Sequence, residues 1–255
     1  MYKKPKLTVV GAGPGAVDLI TLKAVKVLKS ADVVLYDALV NKELLDFINP
    51  EAELIFVGKR RGCYQFQQEQ INELLVARAK SHGHVVRLKG GDPFIFGRGA
   101  EEMEFVASFG IETAMVPGIS SSMAVPAYQN IPLTKRGSAE SFWVITGTTK
   151  EHQLSNDVAV AAKSNATVVV LMGMGKLPEI IKLFQQENKN DLPVAIIQNG
   201  TRSNEKVGIG TVDTILEVVK ENGLSNPAII VLGEVVKHRA IIENVQQEYL
   251  KEVFA

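Results

Sequence analysis

Along the first half of the chain, short β-branched runs alternate with stretches in which apolar residues recur at helical spacing. Leu7 to Val10, Val33 to Tyr36, Leu54 to Val57, Val85 to Leu88 and Thr113 to Val116 read as strands. Between them, Thr21 to Ser30 reads as a helix, with Leu22, Val25 and Leu28 on one side. Gln67 to Ser81 reads as a second, with Ile71, Leu74 and Leu75 inward, and Ala100 to Ser108 as a third. This alternation predicts a mostly parallel sheet with helices on its faces. Ligands of such sheets sit beyond the carboxyl ends of the strands, so loops 11–16, 37–41, 58–62 and 89–98 are expected along one edge.

The second half starts afresh. Phe142 to Thr146, Thr167 to Met172, Pro193 to Ile197 and Ala228 to Leu232 have strand patterns, and Leu177 to Gln186 and Asp213 to Glu221 helical ones. Gly208, Gly210 and Gly233 read as punctuation. Residues 113–134 carry no charge and are interrupted by Pro117, Gly118, Pro126 and Pro132. That composition marks a domain boundary and excludes a spanning helix. The expected division is an N-terminal α/β domain over 1–117 and a C-terminal α/β domain over 118–255. Lys3, Lys4 and Lys6 precede an apolar run as in a signal peptide. The run enters the glycine turn at Gly11, so it reads as a strand.

Charge narrows the partners. Lys and Arg number 28, Asp and Glu 28, and the balance holds in each half. A duplex-coating protein carries a basic excess, so nucleic acid is not expected, and an anionic ligand has to be met by a local cluster. Cys63 is the one cysteine, which excludes an internal disulfide and fits a reducing, cytoplasmic setting. Of the four histidines only His82 and His84 lie close in sequence, so no metal site is expected.

Several strand-end segments carry candidate chemistry. In VVGAGPGAVDLITLKA, residues 9–24, Gly11, Gly13 and Ala16 match a weak dinucleotide pattern, with Asp37 available for a ribose. Pro14 inside the turn argues against that reading. A plain strand–helix turn and another adenosine-bearing ligand stay open. RLKGGDPFIFGRGAEE, residues 87–102, combines Gly90 and Gly91, which let backbone approach a ligand, with Asp92, Arg98 and Glu101. That mixture exceeds what a structural loop needs. GKRRG, residues 58–62, follows a strand between glycines. With Lys89, Arg98, Lys135 and Arg136 it predicts a cationic edge suited to a multiply anionic ligand. Asp37, directly after a strand, reads equally as a helix N-cap and as a cleft acid. Ser120, Ser121 and Ser122 can cap a helix or offer hydroxyls. Met172 in MGMGK reads as core, and Asn199 to Thr201 as a turn.

Taken together, VGAGPG at 10–15, YDALV at 36–40, VGKR at 57–60, RLKGGDPFIFGRG at 87–99, VPGIS at 116–120 and IPLTKRG at 131–137 resemble the tetrapyrrole methyltransferases of sirohaem and cobalamin synthesis. Residues 7–240 share the resemblance. It implies two α/β domains with the active-site cleft between them, usually assembled as a homodimer. It implies S-adenosylmethionine as methyl donor, against Pro14, Gly90, Gly91, Asp92, Ile95, Ser120, Ser121, Met172 and Gly200. Asp37 would accept a proton and Lys59 donate one, with Glu101 as the second candidate base. Arg98, Arg136 and Met172 would meet the tetrapyrrole. YDALV, VGKR and FIFGRG point to the branch that methylates uroporphyrinogen III at carbons 2 and 7 and stops at precorrin-2. The nearest alternatives are a methyltransferase of a later precorrin and a non-catalytic tetrapyrrole-binding protein. Ala16, Ala100, Ser120–Ser122, Lys135 and Thr148 depart from the family's usual residues without removing an assigned role.

Overall fold

The computed structural model describes residues 3–58, 66–242, 244, 245 and 249. The chain divides into two compact units, residues 1–121 and 122–255.

The first unit is built on β1 (Lys6–Gly11), β2 (Val33–Tyr36), β3 (Glu53–Phe56), β4 (His84–Lys89) and β5 (Glu112–Val116), in the order β3-β2-β4-β1-β5. Every pairing is parallel, as the alternation predicts. Because side chains alternate across a strand, both faces are apolar. Leu7, Val9, Val33, Leu35 and Val85 pack on one face with Ile71 and Leu75 of α2 (Gln68–His82) and Val106 of α3 (Gly99–Ala107). Val10, Val34, Val86 and Leu88 pack on the other with Ala24 and Leu28 of α1 (Leu22–Lys29).

Local chemistry sets the helix ends. The Thr21 hydroxyl accepts the Ala24 N–H at 3.1 Å and caps α1. Gln67 and Gln70 form a reciprocal capping box at the start of α2. Gly83, with φ 107°, ends α2 and turns the chain directly into β4.

The second unit holds β6 (Phe142–Thr146), β7 (Thr167–Leu171), β8 (Pro193–Gln198), β9 (Lys206–Thr211) and β10 (Ala228–Leu232), in the order β6-β7-β10-β8-β9. Only β6 and β7 run parallel; β10 is antiparallel to β7 and β8, and β8 to β9. On one face Val168, Val170, Val194, Ile196 and Ile230 meet Val158 and Ala161 of α5 (Asp157–Ala162), Ile180 and Phe184 of α6 (Leu177–Gln186) and Ile215 of α7 (Ile215–Glu221). On the other, Val169, Ala195, Ile197 and Val231 meet Val125, Ile131 and Val235.

Three elements escape the sequence pattern: the short helix α5, β9 and a helix in the boundary segment. β9 carries Gly208 and Gly210, which read as turns. A Cβ on Gly208 would lie 2.6 Å from Leu224 Cδ1 and 3.0 Å from Val218 Cγ1, so the glycine makes room for α7 and the chain after it. The uncharged boundary segment contains a helix, α4 (Ser121–Tyr128), despite Pro126 within it. Burial of Ala124, Val125 and Pro126 outweighs the poor propensity.

Candidate active site

In the first unit, the loops after β1, β4 and β5 meet backbone to backbone. Gly13 and Gly91 form an isolated antiparallel bridge: Gly91 N donates to the Gly13 carbonyl at 2.7 Å, and Gly13 N to the Gly91 carbonyl at 3.2 Å. Both take left-handed φ, 78° and 66°. A Cβ on Gly118 would fall 2.2 Å from the Gly91 carbonyl oxygen, and one on Gly11 2.4 Å from Gly118 N. The loops close this tightly only because Gly11 and Gly118 lack side chains. Asp92 ties them together. Its Oδ1 accepts the Phe94 N–H at 2.8 Å and its Oδ2 the Gly118 N–H at 3.1 Å. Pro14 is half-buried in the β1 loop, and Asn41 Nδ2 donates to the Gly15 carbonyl at 2.9 Å, joining that loop to the one after β2.

The dinucleotide alternative meets an obstacle here. After Gly11 the chain passes through Pro14 and a short 3-10 turn, Val17–Leu19, before α1 starts at Leu22 under its own Thr21 cap. The helix that follows this loop therefore begins away from it, and a pyrophosphate in the loop after β1 would lack the dipole of α1.

Asp37 is not an N-cap. Its Oδ1 accepts from Arg87 Nη2 at 2.6 Å, and its Oδ2 lies 3.9 Å from Lys89 Nζ. Asn41 caps the 3-10 helix that follows. Arg87 and Lys89 sit two apart on β4, hence on one face, which α2 covers and Glu102 of α3 reaches. There Glu102 Oε1 accepts from Arg87 Nε at 3.1 Å, from Lys89 Nζ at 2.9 Å and from Gln68 Nε2 of α2 at 3.2 Å. Arg87 is 2% exposed, Lys89 5% and Glu102 0%, while the Asp37 side chain keeps 27%. The cluster thus reaches solvent through Asp37. Burial acts against the Arg87 guanidinium, but the Asp37 and Glu102 carboxylates outweigh it and hold its pKa above the ordinary arginine value. Burial and the neighbouring Arg87 charge lower that of Lys89.

This corrects the expectation for Lys89 as a cation offered to an anionic ligand. It is buried and already paired, because a charge on the covered face of a strand needs a countercharge. Arg87 and Glu102 were missed altogether. The available signal was the pair of cations at alternate positions in an otherwise apolar strand.

Ile95 and Arg98 are exposed on the loop after β4, with Phe94 and Phe96. Arg98 is left-handed at φ 58° and leads into α3, on which Glu101 is exposed. No ion pair joins Arg98 to Glu101 among the described residues. Ser120 is buried and Ser121 half-buried where β5 leads into α4. Lys59 and the rest of GKRRG beyond Gly58 lie outside the described residues. Among those described, no group of three or more His, Cys, Asp or Glu is placed to hold a metal ion.

In the second unit, Met172 follows β7 with φ 56° and is 51% exposed, against the reading of it as core. The Thr148 hydroxyl donates to the Met172 carbonyl at 2.9 Å and holds this turn. Gly200 lies between Asn199 and Thr201, both left-handed, and a Cβ on it would fall 2.3 Å from Val125 Cγ1. Arg136 is exposed in the turn bridged by Lys135 and Ala139.

A parallel sheet with glycine loops and a held carboxylate at its carboxyl edge, followed by a mixed sheet, defines a two-unit α/β protein with a ligand-binding sheet edge. The chain belongs to the Tetrapyrrole (Corrin/Porphyrin) Methylases, whose family model matches residues 6–216. It is 46% identical to the uroporphyrinogen-III C-methyltransferase of Methanocaldococcus jannaschii over 91% of this chain and 96% of that protein. Similarity to the siroheme synthase of Nitrosomonas europaea is 43%, over 89% of this chain but 48% of that protein, so the chain spans about half the length of such relatives. A Thermus thermophilus uroporphyrin-III C-methyl transferase solved with S-adenyl homocysteine superposes with a TM-score of 0.79 at 36% identity, over 91% of this chain and 99% of that one.

Proposed function

We propose that this chain methylates uroporphyrinogen III at carbons 2 and 7, using S-adenosylmethionine and yielding precorrin-2 and S-adenosylhomocysteine, for sirohaem or cobalamin synthesis. The observation that carries the reading is the Asp37 carboxylate. It is held at the carboxyl edge of the parallel sheet by two buried cations, beside loops made of neutral glycine backbone. Relatives named for this activity over nearly the whole chain support it.

The residues fit the methyl donor. Bound S-adenosylmethionine supplies an electrophilic methyl on a sulfonium. A ligand without phosphate is suited to Pro14, Gly90, Gly91, Ile95, Ser120 and Ser121 in the first unit and to Met172 and Gly200 in the second. Asp92, with both oxygens on backbone N–H groups, acts by holding the loops. Orienting a pyrrole carbon toward the methyl is worth up to about 7–11 kcal/mol. Each methylation forms one carbon–carbon bond, and the macrocycle then loses one proton. Asp37 accepts it, with Lys59 as the donor group and Glu101 as the second candidate base. Exposed Arg98 and Arg136 meet substrate carboxylates as bidentate partners. The enzyme acts as a cytoplasmic homodimer and needs neither metal, membrane nor nucleic acid.

The test is anaerobic incubation with uroporphyrinogen III and S-adenosylmethionine, reading product mass. Two added methyls with matching S-adenosylhomocysteine are expected. A cobalt precorrin-4 methyltransferase shares the fold at a TM-score of 0.81 and 28% identity. Methylation of a later precorrin but not of uroporphyrinogen III would therefore replace this reading.

A further inference from the structure

We propose that Glu102 is a positioning residue that sets the basicity of Asp37 by sharing its two cations. The inference rests on the reading of Asp37 as base. Glu102 is fully buried on α3, and its Oε1 takes three donors, from Arg87, Lys89 and Gln68. Its Oε2 is buried without a hydrogen-bond partner among the described residues. A buried, half-satisfied carboxylate is a poor way to stabilise a core, since apolar side chains of similar volume commonly do as well or better. Its position gives it another use. The same Arg87 that donates to Glu102 through Nε donates to Asp37 through Nη2. Lys89 likewise lies 2.9 Å from Glu102 and 3.9 Å from Asp37.

The cluster therefore balances two cations against two carboxylates, one buried and one at the solvent edge. Among the described residues, the charged groups facing Asp37 are Arg87 and Lys89 from β4. Those facing Glu102 are the same two, with the neutral Gln68 amide from α2. With the Glu102 carboxylate in place, each cation is divided between two carboxylates and neither is spent wholly on Asp37. With Glu102 neutral, both cations act on Asp37 alone and hold it in the charged form. It then accepts the substrate proton less readily. Removing Lys89 acts in the opposite sense, because two carboxylates then share one guanidinium.

Two variants with opposite expected signs carry the test, each read by 13C NMR titration of the Asp37 carboxyl and by the pH profile of kcat. Glu102→Gln is expected to move the Asp37 titration and the acid limb of kcat to lower pH by about one unit, with kcat reduced and the dissociation constant for S-adenosylhomocysteine unchanged. Lys89→Met is expected to move both to higher pH, and Glu102→Asp to restore most of the wild-type profile. A lower melting temperature with an unmoved Asp37 titration would make Glu102 merely structural and overturn the proposal, as would shifts of the same sign in the two variants. If Glu102→Gln does not fold, Glu102→Met decides by the same sign: a fall in the Asp37 titration supports the proposal and an unmoved one overturns it. An NMR titration that moves as expected while the acid limb stays put would leave the electrostatic coupling standing and remove Asp37 as the base instead.

Discussion

Asp37 and Gly118 show how much one position carries. Asp37 is the partly exposed end of an otherwise buried charge cluster, so its truncation removes the acceptor without opening the core. Asp37→Ala is expected to keep S-adenosylhomocysteine binding, measured by calorimetry, while turnover falls by about 10²–10⁴-fold. Unchanged turnover would take Asp37 out of the mechanism. Gly118 shows a different dependence. An added methyl would sit 2.2 Å from the Gly91 carbonyl oxygen, where only backbone can yield. Gly118→Ala is expected to cost about 1–3 kcal/mol in chemical denaturation and to weaken cofactor binding by forcing the loops apart. Arg98 and Arg136 are exposed, so their loss leaves the fold untouched. Replacing either by Ala is expected to raise KM for the tetrapyrrole well above any change for S-adenosylmethionine; equal effects on both would sink the carboxylate-clamp role.

Among the elements, those with strong periodicity and apolar strands were legible and those shaped by neighbours were not. Thr21 was read inside the first helix and proves to be its cap. That makes Thr21→Ala a test of α1 on its own: about 1 kcal/mol of stability should be lost, with the same denaturant dependence as the parent chain. β1 and β2 are buried runs rich in β-branched residues, a pattern that suits the interior of a parallel sheet. β9 is different. Its glycines weaken strand propensity, and it is a strand because α7 needs the space a side chain would fill. α4 has no apolar periodicity and contains a proline, and is helical because its residues are covered. For the second sheet the sequence carried no expectation of strand direction. Its antiparallel pairings depend on connections whose direction no local pattern records.

For the whole molecule, pH links the fold to a site far in sequence from Asp37. His84 opens β4 at the amino end of the first sheet, with Thr8 Oγ1 at 2.9 Å from its Nε2 and the Ser30 carbonyl at 3.2 Å from its Nδ1. Burial is the main cause that lowers its pKa below the ordinary 6.5; Lys6 adds to it, while the Ser30 carbonyl, Asp32 and Glu112 oppose it. The folded state thus binds this proton less readily than the unfolded chain. Stability from His84 is complete above the ordinary histidine pKa and falls as pH drops below it toward the lower folded value. Melting temperatures measured from about pH 7.5 to about pH 5 should decline in that window, and His84→Gln should flatten the decline; an equal decline in both proteins would exclude His84 as its source. The proposed homodimer is checked by light scattering, which should give twice the 27.7 kDa chain mass.

The sequence by itself determined the parallel α/β unit, because buried strands and amphipathic helices are set by the spacing of apolar residues. It also singled out the glycine-rich strand-end loops from which the family could be recognised. Only the tertiary structure decided what the charges do. Arg87, Lys89 and Glu102 are ordinary surface residue types, and nothing local distinguishes a solvated lysine from a buried one. Their burial follows from β4 lying at the centre of its sheet with α2 across its face and α3 alongside, which brings residues distant in sequence within hydrogen-bond reach. Asp37 likewise read equally as a cap and as a cleft acid. The partner that settles it, Arg87, is supplied by the pairing of β2 with β4, a contact between strands that no local window contains.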